Sequence, residues 1–115
     1  MIDYLLKFSS KRTANTFALN NGFATSDQNN KTVLISSTHD YSLIELGPHY
    51  IHEEETIDGE ITVKSVSDDS YWIALRLFNS DITLPSTAQK HIIWSSNSGL
   101  PRPKNDPTIP NITWA

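Results

Sequence analysis

The run Tyr71-Trp72-Ile73-Ala74-Leu75-Arg76-Leu77-Phe78 sets the terms for the rest of the chain. It is the longest stretch dense in β-branched, aromatic and aliphatic residues, and turn-prone segments bound it: Ser67-Asp68-Asp69-Ser70 before and Asn79-Ser80-Asp81 after. Such a run reads as a strand. Alternation sends Tyr71, Ile73, Leu75 and Leu77 to one face and Trp72, Ala74, Arg76 and Phe78 to the other. Both faces are mostly apolar, which predicts a central strand with a neighbour on each edge and cover on each side.

At 115 residues the chain is expected to form one domain with a thin core. The absence of cysteine excludes a disulfide framework, a thiolate metal site and a thiol nucleophile. No apolar run approaches the ~20 residues of a membrane span. Ser9-Ser10-Lys11-Arg12 cuts short any signal-like start, so cytoplasmic synthesis without Sec export is expected.

In chain order, Ile2 to Phe8 alternates as a strand with one apolar face. Ser9-Ser10 supplies an N-cap, Ala14, Phe17 and Ala18 share one helical stripe, and Asn20-Asn21-Gly22 gives the stop. Lys11 and Arg12 oppose the dipole at the start of this helix, so packing on the sheet must hold it. Thr25 to Lys31 reads as a loop, Thr32 to Ser37 and Ser42 to Leu46 as strands, and Ser37-Thr38-His39-Asp40 as a hairpin turn or short link. Gly47-Pro48 is expected to break the ladder. A short strand at Tyr50 to Glu53, a hairpin turn at Ile57-Asp58-Gly59-Glu60 and a strand from Ile61 toward Val66 follow. Beyond the central strand, Ile82 to Leu84 reads as a brief strand, Pro85 to Gln89 as one helical turn, and Lys90 to Ser95 as the last strand.

From Ser96 the composition shifts, with Pro101, Pro103, Pro107 and Pro110 among the six prolines. Residues 1–95 are therefore read as a single α+β domain: a mostly antiparallel sheet of five to six strands with one N-terminal helix. Residues 96–115 are read as an extended Pro-rich tail that docks on the body or a partner through Trp114. Helix cover on one sheet face leaves part of the other, including Trp72 and Phe78, for the tail or a partner.

Net charge is −4, but its distribution says more than its total. Asp40, Glu45, Glu53, Glu54, Glu55, Asp58, Glu60, Asp68 and Asp69 stand against Lys64 alone in the middle of the chain, while Lys7, Lys11 and Arg12 make its start basic. The acidic middle is either a solvated face or a docking surface for a basic partner. Glu53-Glu54-Glu55 in particular reads as like charges in a turn.

Motifs for chemistry are sparse. His49-Tyr50-Ile51-His52 before Glu53 is the one metal-like cluster, but on a strand the two rings point to opposite faces, so these are read as surface histidines. His39-Asp40 lacks a nucleophile elbow, and no glycine-rich phosphate cradle is present. Catalysis would require His39, His49 or His91 to meet a carboxylate in a pocket. Tyr4, Lys7 and Phe8 with Trp72, Arg76 and Phe78 could form a base-stacking sheet face, but the acidic total speaks against it. No catalytic residue, cofactor, metal, direct nucleic-acid contact or membrane contact is expected.

Three segments resemble a known group. Met1 to Phe8 followed by a helix ending at Gly22, the aromatic strand Tyr71 to Leu77, and the Pro-rich end closing on Trp114-Ala115 are similar to short hypothetical proteins encoded in phages and prophages, commonly among the tail genes. Those proteins usually carry a His and an Asn where Trp72 and Ala74 stand here, and end more often in Phe-Ala. The resemblance implies no catalytic residues. It implies a phage accessory protein associated with the tail, acting by protein–protein binding in the host cytoplasm or the virion. The alternative is an inhibitor of a host defence or nucleic-acid enzyme that uses the acidic surface. The residues expected to meet a partner, either other tail components or a basic host protein, are Glu53, Glu54, Glu55, Asp58, Trp72 and Trp114.

Overall fold

The computed structural model describes residues 1–79, 81–103, 109 and 110. Strand β1 (Ile2–Phe8) leads into helix α1 (Lys11–Asn20), and a small hairpin follows, β2 (Ala24–Ser26) with β3 (Thr32–Leu34). Two long strands come next, β4 (Tyr41–Ile57) and β5 (Glu60–Leu77), then a 3-10 helix at Ser86–His91 and the last strand, β6 (Ile92–Ser95). The main sheet runs β4-β5-β1-β6, antiparallel throughout, and β2-β3 forms a second sheet. The fold is α+β, with β5 in an interior position between β4 and β1 as its sequence predicts. Among the described residues no helix is long and apolar enough to cross a membrane.

Alternation along the strands builds two cores. On one face Leu6 and Phe8 of β1, Tyr71, Ile73, Leu75 and Leu77 of β5, and Leu43 of β4 receive Ala14, Phe17 and Ala18 of α1. Phe8, Phe17, Phe23 and Tyr41 chain their rings at 5.1, 6.0 and 4.7 Å between centroids. A large apolar side chain fully buried in this way contributes about 1.5–3 kcal/mol, which outweighs the poor intrinsic propensity of α1. Ser10 caps that helix by accepting from the Thr13 amide at 3.2 Å.

On the other face Leu5, Trp72 and Ala74 are packed by Ile44, Leu46, Trp94 and Ile109. Trp72 donates its indole N–H to Ser70 Oγ at 2.7 Å. Beside it Asp3 and Arg76 stand directly opposite each other in the ladder and form a two-pronged ion pair at 2.7 and 2.9 Å. Trp94 donates to the Leu100 carbonyl at 3.0 Å, which pins the start of the Pro-rich segment against this face.

Four expectations are corrected. Gly47-Pro48 does not end its strand: β4 runs through it with register shifts at 45–47 and 48–50. Gly47 takes a positive φ of 78°, and Pro48 sits on the edge strand, where a missing N–H can face outward without removing a ladder bond. Likewise Ser67-Asp68-Asp69-Ser70 is no turn; Asp69, at φ 63°, is a kink inside the continuous β5. Part of the expected loop at Thr25 to Lys31 pairs as β2. Asp27 makes this possible, because its carboxylate accepts from the Asn29 and Lys31 amides and closes a tight turn around Asn30. Finally, Ile82 to Leu84 is not a strand. The edge of β1 is taken by β6, and the segment instead buries Leu84 in the helix-side core.

Candidate protein-binding surface

The corrections at Gly47 and Asp69 join four short predicted segments into one long hairpin. Its lower half belongs to the sheet. Its upper half, Tyr50 to Ser67, pairs only with itself and leaves the body as a two-stranded ribbon. Over 50–57, at about 3.3 Å per residue, the ribbon extends roughly 25 Å. The molecule is accordingly elongated, 58 × 42 × 27 Å.

The local sequence explains the ribbon. Ile51, Thr56, Ile57, Ile61, Thr62, Val63 and Val66 favour extended backbone. Asp58 and Gly59, at φ 52° and 79°, make the two-residue turn whose twist suits a hairpin. Cross-strand partners tie the rungs: Thr62 Oγ1 donates to the Glu55 carbonyl at 3.2 Å, Ser65 Oγ lies 3.3 Å from His52 Nδ1, and Lys64 Nζ lies 3.6 Å from Glu55. That ion pair is half exposed and adds no more than about 1 kcal/mol.

Because directly opposed residues share a face, the register sorts the ribbon into two surfaces. One carries Tyr50, His52, Glu54 and Thr56 against Ser67, Ser65, Val63 and Ile61. The other carries Ile51, Glu53, Glu55 and Ile57 against Val66, Lys64, Thr62 and Glu60. The triplet Glu53-Glu54-Glu55, expected in a turn, is therefore in a strand and divided. Glu54 lies among Tyr50, Ile61 and Val63, while Glu53, Glu55 and Glu60 line the opposite face. Every residue from His52 to Ser65 is exposed. The apolar side chains are exposed with the rest: Ile61 67%, Val63 62%, Tyr50 55% and Ile57 54%.

The base of the ribbon is a polar joint. Tyr71 OH donates to Glu45, and burial, reinforced by that carboxylate, raises the phenol well above its ordinary value. Asp68 accepts from the Ser70 hydroxyl and, at 3.0 Å, from the Ser70 amide. Burial alone would raise the Asp68 carboxyl; the two Ser70 donors, with the charges of His49 and Lys7, outweigh it and hold the carboxyl below its ordinary value. Lys7, Ile51, Asp68, Trp72, Ile93 and Ile109 surround an open hollow of about 360 Å³ beside this joint.

The expected partner-facing residues are thus dispersed. Glu53, Glu54, Glu55 and Asp58 come together on the ribbon, although on different sides of it. Trp72 is only 1% exposed, closed in beneath Lys7, whose Nζ lies 5.5 Å from the ring, and packed by Ile109. Phe78 is exposed. Trp114 lies outside the described residues. The proposed base-stacking face does not form: the register puts Tyr4 and Phe8 on the helix-covered side, and Lys7, Trp72 and Arg76 on the other. His49 stands 6.3 Å from the Trp72 ring and His52 beside Ser65, in separate settings. Among the described residues no group of three or more His, Asp and Glu could hold a metal ion.

Sequence reasoning passed over Tyr50, Ile57, Ile61 and Val63 as contact residues. The signal was present, since they flank an Asp-Gly turn within an acidic stretch. No protein-family model matches the chain, and neither a curated protein nor a solved structure matches it.

Proposed function

We propose that the chain is a non-enzymatic phage or prophage accessory protein, tail-associated, that works by binding other proteins through the 50–67 ribbon. The observation that carries this reading is the exposure of every residue from His52 to Ser65. A two-stranded ribbon gains little stability by itself in water. One that also holds Ile57, Ile61 and Val63 in solvent gains most by covering them with a partner. The likeness of the two ends and the aromatic strand to phage tail-gene products supplies the setting.

The test is capture from cells that carry the parent phage or prophage. A tagged full chain is compared with one lacking residues 52–55 and 62–65, which removes four paired rungs and keeps the alternation of the rest. Tail fibre, baseplate or tail-tip proteins retained by the full chain and lost with the shortened ribbon are the expected result. An identical set captured by both proteins, or no tail component captured by either, would overturn the reading.

A second reading is favoured by the acidic side of the ribbon. Glu53, Glu55 and Glu60 on one face suit a basic host protein, such as a defence or nucleic-acid enzyme that the chain inhibits. That complex would dissolve at high salt as the exposed charges are screened, whereas burial of Ile61 and Val63 would resist salt.

A further inference from the structure

A larger hollow than the one beside Trp72 lies away from the ribbon. It lies between α1 and the 3-10 helix at Ser86–His91, about 610 Å³ in volume, and Arg12, Phe17, Asn20, Thr87, Lys90 and His91 are among the residues around it. No carboxylate lines it. Arg12 and Lys90 are exposed at its rim, and among the described residues no carboxylate forms an ion pair with either. Thr16 and Asn21 donate to the Arg12 and Phe17 carbonyls and His91 Nδ1 lies 3.2 Å from the Lys7 carbonyl, so the guanidinium of Arg12 and the ammonium of Lys90 are the hollow's chief donors toward a ligand. The Phe17 ring, 7% exposed, closes the hollow off from the core. A cleft of this size and character fits a short acidic peptide.

The ribbon tip is such a peptide. Ile57-Asp58-Gly59-Glu60-Ile61 presents two carboxylates between two isoleucines on a tight two-residue turn. Every residue of it is exposed, so it does not occupy the cleft of its own chain. Two ribbons side by side would bring Glu53, Glu55 and Glu60 against their own kind, which disfavours a symmetric ribbon–ribbon pair.

We propose that the ribbon tip of one copy docks in the α1/3-10 cleft of the next, a head-to-tail contact with Asp58 and Glu60 facing Arg12 and Lys90. A contact between two different surfaces of one chain leaves a free tip and a free cleft at the ends of every open assembly, so it grows into a filament or closes into a ring, the smallest being a pair that exchanges tips. The inference rests on the ribbon being a docking element and names its partner.

Sedimentation of the full chain over a range of concentrations tests it, at about 50 mM and about 500 mM salt, where screening differs several-fold in range. The expected result is species larger than monomer at low salt, lost at high salt. Two variants sharpen it. One carries Glu54→Lys, Asp58→Asn and Glu60→Lys, which leave the turn conformation permissible. The other carries Arg12→Glu and Lys90→Glu. Each alone should sediment as a monomer, and an equimolar mixture should recover the large species, because each ribbon then meets a cleft of opposite charge. That recovery also shows both variants to be folded. A wild-type monomer at every concentration and low salt, or association unchanged in both variants, overturns the proposal. A monomer that still captures tail proteins through residues 52–65 would overturn self-assembly alone and leave the reading of the ribbon standing.

Discussion

The two halves of the β4–β5 hairpin share a backbone ladder and differ in everything else. Near the sheet, Tyr41 and Leu43 face Leu77 and Leu75, and the strands are sealed between α1 on one side and Trp94 and Ile109 on the other. Past Ile51 and Val66 the same two strands run on exposed on both faces. Backbone pairing alone therefore does not distinguish core from ribbon; side-chain burial does. In the lower half the sequence answers to packing. In the upper half it answers only to extended backbone and the turn, which leaves its charges and isoleucines free to answer to a partner.

The sharpest way to break this comparison is to truncate one side chain in each half. Trp72→Ala should lower unfolding free energy by about 3–5 kcal/mol, whereas Val63→Ala should change it by less than about 0.5 kcal/mol. Equal losses in denaturant titrations would mean that the ribbon is packed in solution. Ion pairs give the next contrast. Asp3→Ala leaves the half-buried Arg76 guanidinium without its two-pronged partner and should cost about 1.5–3 kcal/mol. Glu55→Ala, which releases the exposed Lys64, should be close to neutral in the same titration.

The joint between the halves is open to a pH test. The Tyr71 phenol is raised in the folded chain, so its contribution is whole below the unfolded phenol value of about 10 and falls away as pH climbs beyond it, because the unfolded chain ionises first. Tyr71→Phe should cost about 1 kcal/mol near neutrality and flatten the alkaline limb of the stability curve. A limb unchanged by the substitution would assign it to Tyr4 or Tyr41, whose phenols burial also raises. The most local effect belongs to the tip. Gly59→Ala puts a side chain at φ 79° and should cost about 1 kcal/mol, felt by the ribbon rather than the molecule. Amide hydrogen exchange should quicken from 50 to 67 and stay unchanged in β1.

Much of the lower half was legible in the chain. Ile2 to Phe8 matches β1 residue for residue, Ser10 caps the helix whose stripe is Ala14, Phe17 and Ala18, and the Asp58-Gly59 turn stands where its dipeptide puts it. What was not legible was continuity. Gly47-Pro48 and Asp68-Asp69 are punctuation by composition, and local rules cannot tell a kink inside a strand from its end. That distinction depends on whether the partner strand bends at the same rung. A long-range clue existed, since the two interruptions lie at nearly equal distance on either side of Asp58-Gly59. The candidate surface was half visible for the same reason: its carboxylates were conspicuous, but the isoleucines that share the ribbon read as buried until the two strands are joined. Trp72 failed in the opposite sense, because nothing in its own neighbourhood shows that Ile109, far along the chain, returns to cover it.

Pro48 has a further consequence. A foreign strand that tried to extend the sheet along the outer edge of β4 would find a missing donor there and, on either side, the register shifts at 45–47 and 50. No single straight strand can zip along the whole edge. Below the break, Thr38 and Ser36 already cover part of that margin through backbone bonds with Tyr41 and Leu43, so lateral pairing along β4 is confined to the ribbon's own length, away from the sheet.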